Sequence, residues 1–149
     1  RVLFRSSLRE IEFALDVLKA DGFVLMTSYD NQWPGEARFA PVFDELNRRK
    51  ATVLFHPTVA GCCYELITGV PDATVEFMFD TTRAVTSLLY SGTFSRCPDI
   101  RFIIPHCGSA VPLLQARIGG MWHWNPESKR LIPKGVPHEL KKLYYDVAL

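Results

Sequence analysis

The feature that most constrains this 149-residue chain is a repeated alternation of short, continuously apolar segments with amphipathic ones. Residues 23–27, 52–55 and 100–104 are too short for buried helices, rich in Val, Ile and Phe, and bounded by turn residues; each reads as a strand. Ahead of the first, Leu8, Ile11, Ala14, Leu15 and Leu18 recur at helical spacing. Ser7 and Glu10 form a capping-box pair at the start, and Asp21-Gly22 is the stop. Phe39, Val42, Phe43 and Leu46 predict a second amphipathic helix with the polar tail Asn47-Arg48-Arg49-Lys50. A long loop through Cys62-Cys63 and Pro71 leads to a helix over about residues 81–90, for which Asp80 is the expected cap. Residues 111–118 are helical in pattern. A Trp-, Pro- and Lys-rich excursion follows, and then a fourth strand over residues 144–148.

Apolar strands separated by helices imply βαβ units and a parallel sheet buried on both faces, as in a closed barrel or a doubly wound sheet. No G-x-G-x-x-G or G-x-x-x-x-G-K-[ST] run follows a strand, which removes support from a nucleotide-binding fold. Tyr29-Asp30, His56, His106 and Asp146 fall at or near carboxyl ends of strands, where barrel enzymes build their sites. His56 is followed by Pro57, and a neutral imidazole there suits a divalent metal. His106 repeats the arrangement one helix later, with Gly108 letting the backbone turn close to a ligand. Arg117, eleven residues on and near the end of its helix, could grip a carboxylate in bidentate fashion, although a surface arginine is the simpler reading. His123, within Met121-Trp122-His123-Trp124, reads as packing or subunit contact; His138 has no assigned role.

Composition narrows the classes further. Apolar residues make up 48% and charged residues 22%, with a net charge of +1, which suits a soluble globular protein without a nucleic-acid footprint. Its apolar runs are too short to span a bilayer. Cys62, Cys63, Cys97 and Cys107 form neither a C-x-x-C pair nor a disulfide framework. They read as free thiols in a reducing, cytoplasmic compartment rather than as a zinc knuckle of Cys62, Cys63 and His106.

A family resemblance rests on named residues. Phe55-His56-Pro57, the run from Asp80-Thr81-Thr82 to Ser91-Gly92-Thr93-Phe94, and Pro98-Asp99-Ile100-Arg101-Phe102-Ile103-Ile104-Pro105-His106-Cys107-Gly108 are similar to the amidohydrolase-related decarboxylases. Pro112, Arg117 and Leu143-Tyr144-Tyr145-Asp146 continue the match in the family's order. Aminocarboxymuconate-semialdehyde decarboxylase is the best-known type. The wording of residues 21–29 and 43–50 further resembles a subgroup that includes 6-methylsalicylate decarboxylase. The resemblance implies an α/β fold, a (β/α)8 TIM-type barrel with one divalent metal, zinc or manganese. It implies His56 as the metal ligand on the fifth strand and His106 as the general acid/base on the sixth. It implies Arg117 as a group that reaches the substrate carboxylate from a neighbouring subunit, hence a homodimer or homotetramer. One departure is His106-Cys107-Gly108-Ser109, where the family shows His-Gly-Gly or Ala-Gly-Gly.

The family's first-strand ligand pair and eighth-strand aspartate have no counterpart in this sequence, and a full barrel needs roughly 250 residues. The expectation is therefore a partial barrel, about strands 4 to 7, over residues 7–149, without activity alone. Arg1-Val2-Leu3-Phe4-Arg5-Ser6 can be encoded by CGT GTG CTC TTC CGA TCT, which resembles the end of a DNA-sequencing adapter, and reads as a non-native lead-in. The expected function of the parent is non-oxidative decarboxylation of a small aromatic or unsaturated carboxylic acid. Its rivals are a lactone or amide hydrolase on the same barrel, and an inactive barrel kept as an oligomerisation partner.

Overall fold

One sheet of four parallel strands, β1-β2-β3-β4 in chain order, organises residues 2–148, which the computed structural model describes; the side chains of residues 2–4 lie outside that description. The strands are β1 (Phe23–Met26), β2 (Thr52–His56), β3 (Arg101–Ile104) and β4 (Tyr144–Tyr145). Their register is unbroken: Phe23 pairs with Val53, Val53 with Phe102, and Ile103 with Tyr144. Adjacent parallel strands in chain order, each reached through helices, are the βαβ progression of a (β/α)8 barrel.

The helices are α1 (Val2–Glu12), continued by a π turn over Phe13–Val17, α2 (Ala40–Arg48), α3 (Glu76–Tyr90), α4 (Thr93–Arg96), α5 (Val111–Trp124), α6 (Pro126–Leu131) and α7 (Val136–Leu140). Alternate residues of the strands, Val53, Phe55, Phe102 and Ile104, face these helices and are buried. Phe102 sits at the centre, its ring 5.1 Å from Phe94, 6.1 Å from Phe43 and 6.3 Å from Phe55. The other parity, Val24, Met26, Leu54, His56 and Ile103, forms the concave face.

That face is open, as the expected partial barrel requires. Val24 is 59% exposed and Leu54 and Ile103 are half-buried, because among the described residues the sheet stops at four strands and does not close over its inner face. A cleft of about 820 Å³ runs along the free edge of β1, lined by Ile11, Val24, Met26, Tyr29, Arg38 and Phe39 among others.

Several local expectations change. Residue Ser7 lies inside α1, which already begins at Val2, since nothing ahead of it breaks a helix; the proposed lead-in thus joins α1, and Arg1 lies outside the described residues. Asp80 is no cap: Glu76, Phe77, Met78 and Phe79 extend α3 one turn earlier, back towards the turn at Asp72–Thr74. The fourth strand is Tyr144–Tyr145 instead of residues 144–148, although Asp146 N still donates to Ile104 O at 3.1 Å; Leu149 lies outside the described residues. α5 runs on to Trp124, so Arg117 stands mid-helix, and the excursion after it folds into α6 and α7. The sulfurs of the adjacent Cys62 and Cys63 are joined, against the reading of both as free thiols, while Cys97 is buried and Cys107 exposed as unpaired cysteines. No helix among the described residues is long and apolar enough to cross a membrane.

Candidate active site

The two strand-end histidines stand at the carboxyl ends of neighbouring parallel strands. His56 is the last residue of β2, on the concave face and exposed. Its backbone carbonyl accepts from Thr27 N at 3.0 Å, extending the β1–β2 ladder to the rim. Its Nδ1 lies 2.9 Å from the carbonyl oxygen of Pro57. A carbonyl only accepts, so Nδ1 carries a proton, and in the neutral ring Nε2 then keeps its lone pair. Metal-binding histidines are held in this way, with one ring nitrogen donating to a carbonyl and the other free for the ion. The residue present therefore fits a divalent metal. It fits as one ligand only: among the described residues no three His, Cys, Asp or Glu side chains come together.

His106 follows Pro105 in the turn His106–Gly108 at the end of β3. Its backbone is left-handed, φ +54°, as are Cys107 at +53° and Gly108 at +84°. Non-glycine residues adopt this region at a cost of about 1–2 kcal/mol each, so something must hold the turn. Asp146 does. Its Oδ1 accepts from His106 N at 2.7 Å, and its carbonyl accepts from Cys107 N at 2.9 Å. At Gly108 a Cβ would lie 2.8 Å from the Tyr145 ring, which explains the glycine by close approach as well as by φ. The Nδ1 of His106 is buried and has no hydrogen-bond partner among the described residues. An unpaired ring nitrogen beside the neighbouring strand end suits a group that exchanges a proton with a ligand.

Arg117 stands apart. It is exposed on α5, without a hydrogen bond or ion pair, to either histidine or to any other group, among the described residues. Around it on the same helix Leu113 is 86% exposed, Met121 58% and Trp124 85%. Trp122 turns inward and donates Nε1 to Ile132 O at 2.9 Å, so the Met121–Trp124 run divides between packing and an uncovered face; His123 is exposed, edge-on to Trp122. His138 is exposed on α7, away from the strand ends.

Asp80 is the group that sequence reasoning misplaced. It is wholly buried and accepts four hydrogen bonds: from Thr27 Oγ1 at 2.5 Å, Ser28 Oγ at 2.9 Å, Thr58 Oγ1 at 3.0 Å and Trp33 Nε1 at 2.9 Å. These donors come from the segments that leave β1 and β2, so one carboxylate gathers the rim beside His56. A signal was present: Asp80, Ala84 and Leu88 recur every four residues, which puts the aspartate in α3's buried stripe.

Four parallel strands in chain order, with both histidines at their carboxyl ends, define part of a (β/α)8-type barrel. The chain belongs to the amidohydrolase family, whose model, described as "Amidohydrolase", matches residues 4–130. It is similar to decarboxylase macB of Penicillium terrestre, 33% identical over 97% of this chain and 44% of that protein. It is 32% identical to 6-methylsalicylic acid decarboxylase of Penicillium expansum, over 95% of this chain and 44% of that protein. The solved 5-carboxyvanillate decarboxylase of Novosphingobium aromaticivorans, with bound manganese and a nitrobenzoic acid, superposes with a TM-score of 0.81 at 22% identity, over 93% of this chain and 42% of that one. The chain thus spans less than half the length of the relatives it matches, and its four strands are part of an amidohydrolase barrel.

Proposed function

We propose that this chain is the part of a cytoplasmic, metal-dependent decarboxylase that carries one metal ligand, His56, the acid/base His106 and the carboxylate-binding Arg117. The substrate class is a small aromatic carboxylic acid. The observation that carries the reading is the placement of two histidines at the ends of the paired strands β2 and β3: His56, its Nε2 left free by the Pro57 carbonyl, and His106, whose Nδ1 is buried and unpaired among the described residues. The similarity to decarboxylases over nearly the whole chain supports the reaction class.

A divalent ion, zinc or manganese, would supply a positive charge that polarises the bound oxygens and orients the substrate. His56 Nε2 would be one of its protein ligands, the others lying beyond this chain. His106 would deliver a proton to the ring carbon that bears the carboxylate. The carbon–carboxylate bond then breaks, its electron pair restores the aromatic ring, and carbon dioxide leaves. One proton is consumed and no water oxygen enters the product. Arg117 would pair with the carboxylate in a bidentate geometry. Its exposure and the bare apolar face around it support delivery from α5 of a second copy, with a homodimer or homotetramer as the working form.

The test is product analysis with the longest reading frame that contains this chain, supplied with Mn²⁺ or Zn²⁺ and, in separate reactions, hydroxylated benzoic acids or aryl lactones and amides in ¹⁸O-labelled water. Carbon dioxide released in step with an unlabelled arene supports the reading. Label incorporated from water, with no carbon dioxide, establishes the hydrolase instead. A frame that binds no metal and turns over neither substrate class establishes the inactive partner.

A further inference from the structure

Asp80 carries a consequence beyond binding the rim together, and it rests on the reading of His56 as a metal ligand. The carboxylate is 0% exposed and forms no ion pair among the described residues; all of its partners are neutral. Burying an unpaired charge is costly unless several hydrogen bonds compensate it, and here four converge on it. From it a continuous path leads to the His56 ring. Thr27 Oγ1 donates to Asp80 Oδ2 at 2.5 Å, which fixes the direction of the hydroxyl's lone pairs. Those lone pairs accept from Thr58 N at 2.9 Å. The Thr58 N–H and the Pro57 carbonyl belong to one trans peptide unit and point in opposite directions in its plane. Anchoring the N–H on Thr27 therefore aims the carbonyl the other way, and that carbonyl is what holds His56 Nδ1 at 2.9 Å. On the near side of the ring, Thr27 N holds the His56 carbonyl at 3.0 Å.

We propose that Asp80 is the positioning residue of His56. Through Thr27 and the Pro57–Thr58 peptide it sets the imidazole's rotamer and keeps the proton on Nδ1, so that Nε2 is presented to the metal. Asp80 touches neither substrate nor ion.

The experiment uses the longest reading frame that contains this chain, with ¹⁵N-histidine labelling and metal-free protein as the first readout. In the parental protein the His56 ring nitrogens report the Nδ1–H tautomer. D80A and T27V both shift those signals towards a mixed or Nε2–H tautomer, while the His106 signals, on another strand end, serve as the reference. T27V is the stricter variant, because Asp80 keeps Ser28, Thr58 and Trp33 as donors and valine fills the volume of threonine. Mn²⁺ titration is the second readout: D80A and T27V weaken binding about 10–100-fold, the usual effect of losing a group that orients a ligand. D80N, whose amide oxygen still accepts from Thr27, recovers most of that loss. L88A, a core deletion in the same helix, lowers the melting temperature without changing Mn²⁺ affinity.

Parental ring signals and affinity in folded T27V would overturn the proposal, as would equal losses of affinity in D80A and L88A. H56A run in parallel separates the two readings. If H56A binds Mn²⁺ as tightly as the parent, the ligand assignment alone fails, and the metal-free ring signals of D80A and T27V still decide what Asp80 does.

Discussion

His56 and His106 are both strand-end histidines, yet their surroundings differ. The one has its Nδ1 engaged and Nε2 free, the other has a buried, unpaired Nδ1 and a backbone clamped by Asp146. The two should therefore fail differently on truncation. In the restored enzyme His56→Ala lowers metal content and activity together, since water must fill a broken shell. Full metal occupancy by elemental analysis in that variant would refute the ligand role. His106→Ala keeps its metal and loses roughly 10²–10⁴-fold in kcat, the range for a positioned acid/base. Turnover at the parental rate would remove the assignment. Gly108→Ala destabilises, because its Cβ would meet the Tyr145 ring at a φ of +84°, whereas Cys107→Gly, at φ +53°, relieves a left-handed backbone and leaves stability within about 1 kcal/mol. Thermal melts of the pair check this ordering. Both histidines were legible in sequence because each ends an apolar run and precedes or follows proline. Asp80 was not, because an acid before Thr81-Thr82 looks like a cap, and its partners lie 22 to 53 residues away.

At the scale of elements, the π turn that continues α1 is joined to the end of α2 by Arg49, which reaches Asp16 at 2.8 Å and Glu45 at 2.6 Å. Hydrogen bonds from Arg48 and then Arg49 hold the Glu45 carboxyl down at about 2, against an ordinary value of 4.5, and Arg49 lowers Asp16 in the same sense. A carboxyl depressed in the folded state adds stability that is complete above its unfolded value and is lost as pH falls towards its folded one. Urea midpoints should accordingly drop between about pH 4.5 and 2, and Glu45→Gln should flatten part of that slope; an unchanged slope in the variant would rule out this pair as the cause. Such partly exposed ion pairs contribute little in absolute terms. Helices and strands were well marked by apolar periodicity, so β1, β2, β3 and α2 appear close to where the pattern put them. The excursion after residue 118 was not, because its Trp, Pro and Lys residues lack a clear stripe. There, proline in the first turns of α6 and α7 supplies the helix starts instead.

The whole molecule presents two sheet edges, β1 and β4, and a concave face where Val24 is 59% and Tyr144 57% exposed. Unpaired parallel edges and bare apolar surface recruit other chains unless covered. Expressed as these 149 residues alone, the protein should elute as a mixture of associated species and melt without a sharp transition. A monodisperse monomer with a cooperative transition above about 50 °C, in the ordinary mesophile range, would show that the four strands form a self-sufficient domain. Neither outcome was readable from periodicity, which says which residues want burial and not whether anything covers them.

The Asp146 clamp has a consequence in time. Its partner, the His106 amide, lies 40 residues earlier in the chain. Translation runs from the amino end at about 5–20 residues per second, so His106 is made seconds before the group that shapes its turn. Until Asp146 arrives, two successive left-handed non-glycine residues are held by the turn's own bonds alone, from Gly108 N to Pro105 O and from Ser109 N to His106 O. A nascent chain ending at Leu143 could stack β1, β2 and β3 and bury Phe102, yet the His106 turn would still lack both of its bonds to Asp146. The turn at His106 is thus completed by a group from a distant part of the chain, made after the strand that leads into it.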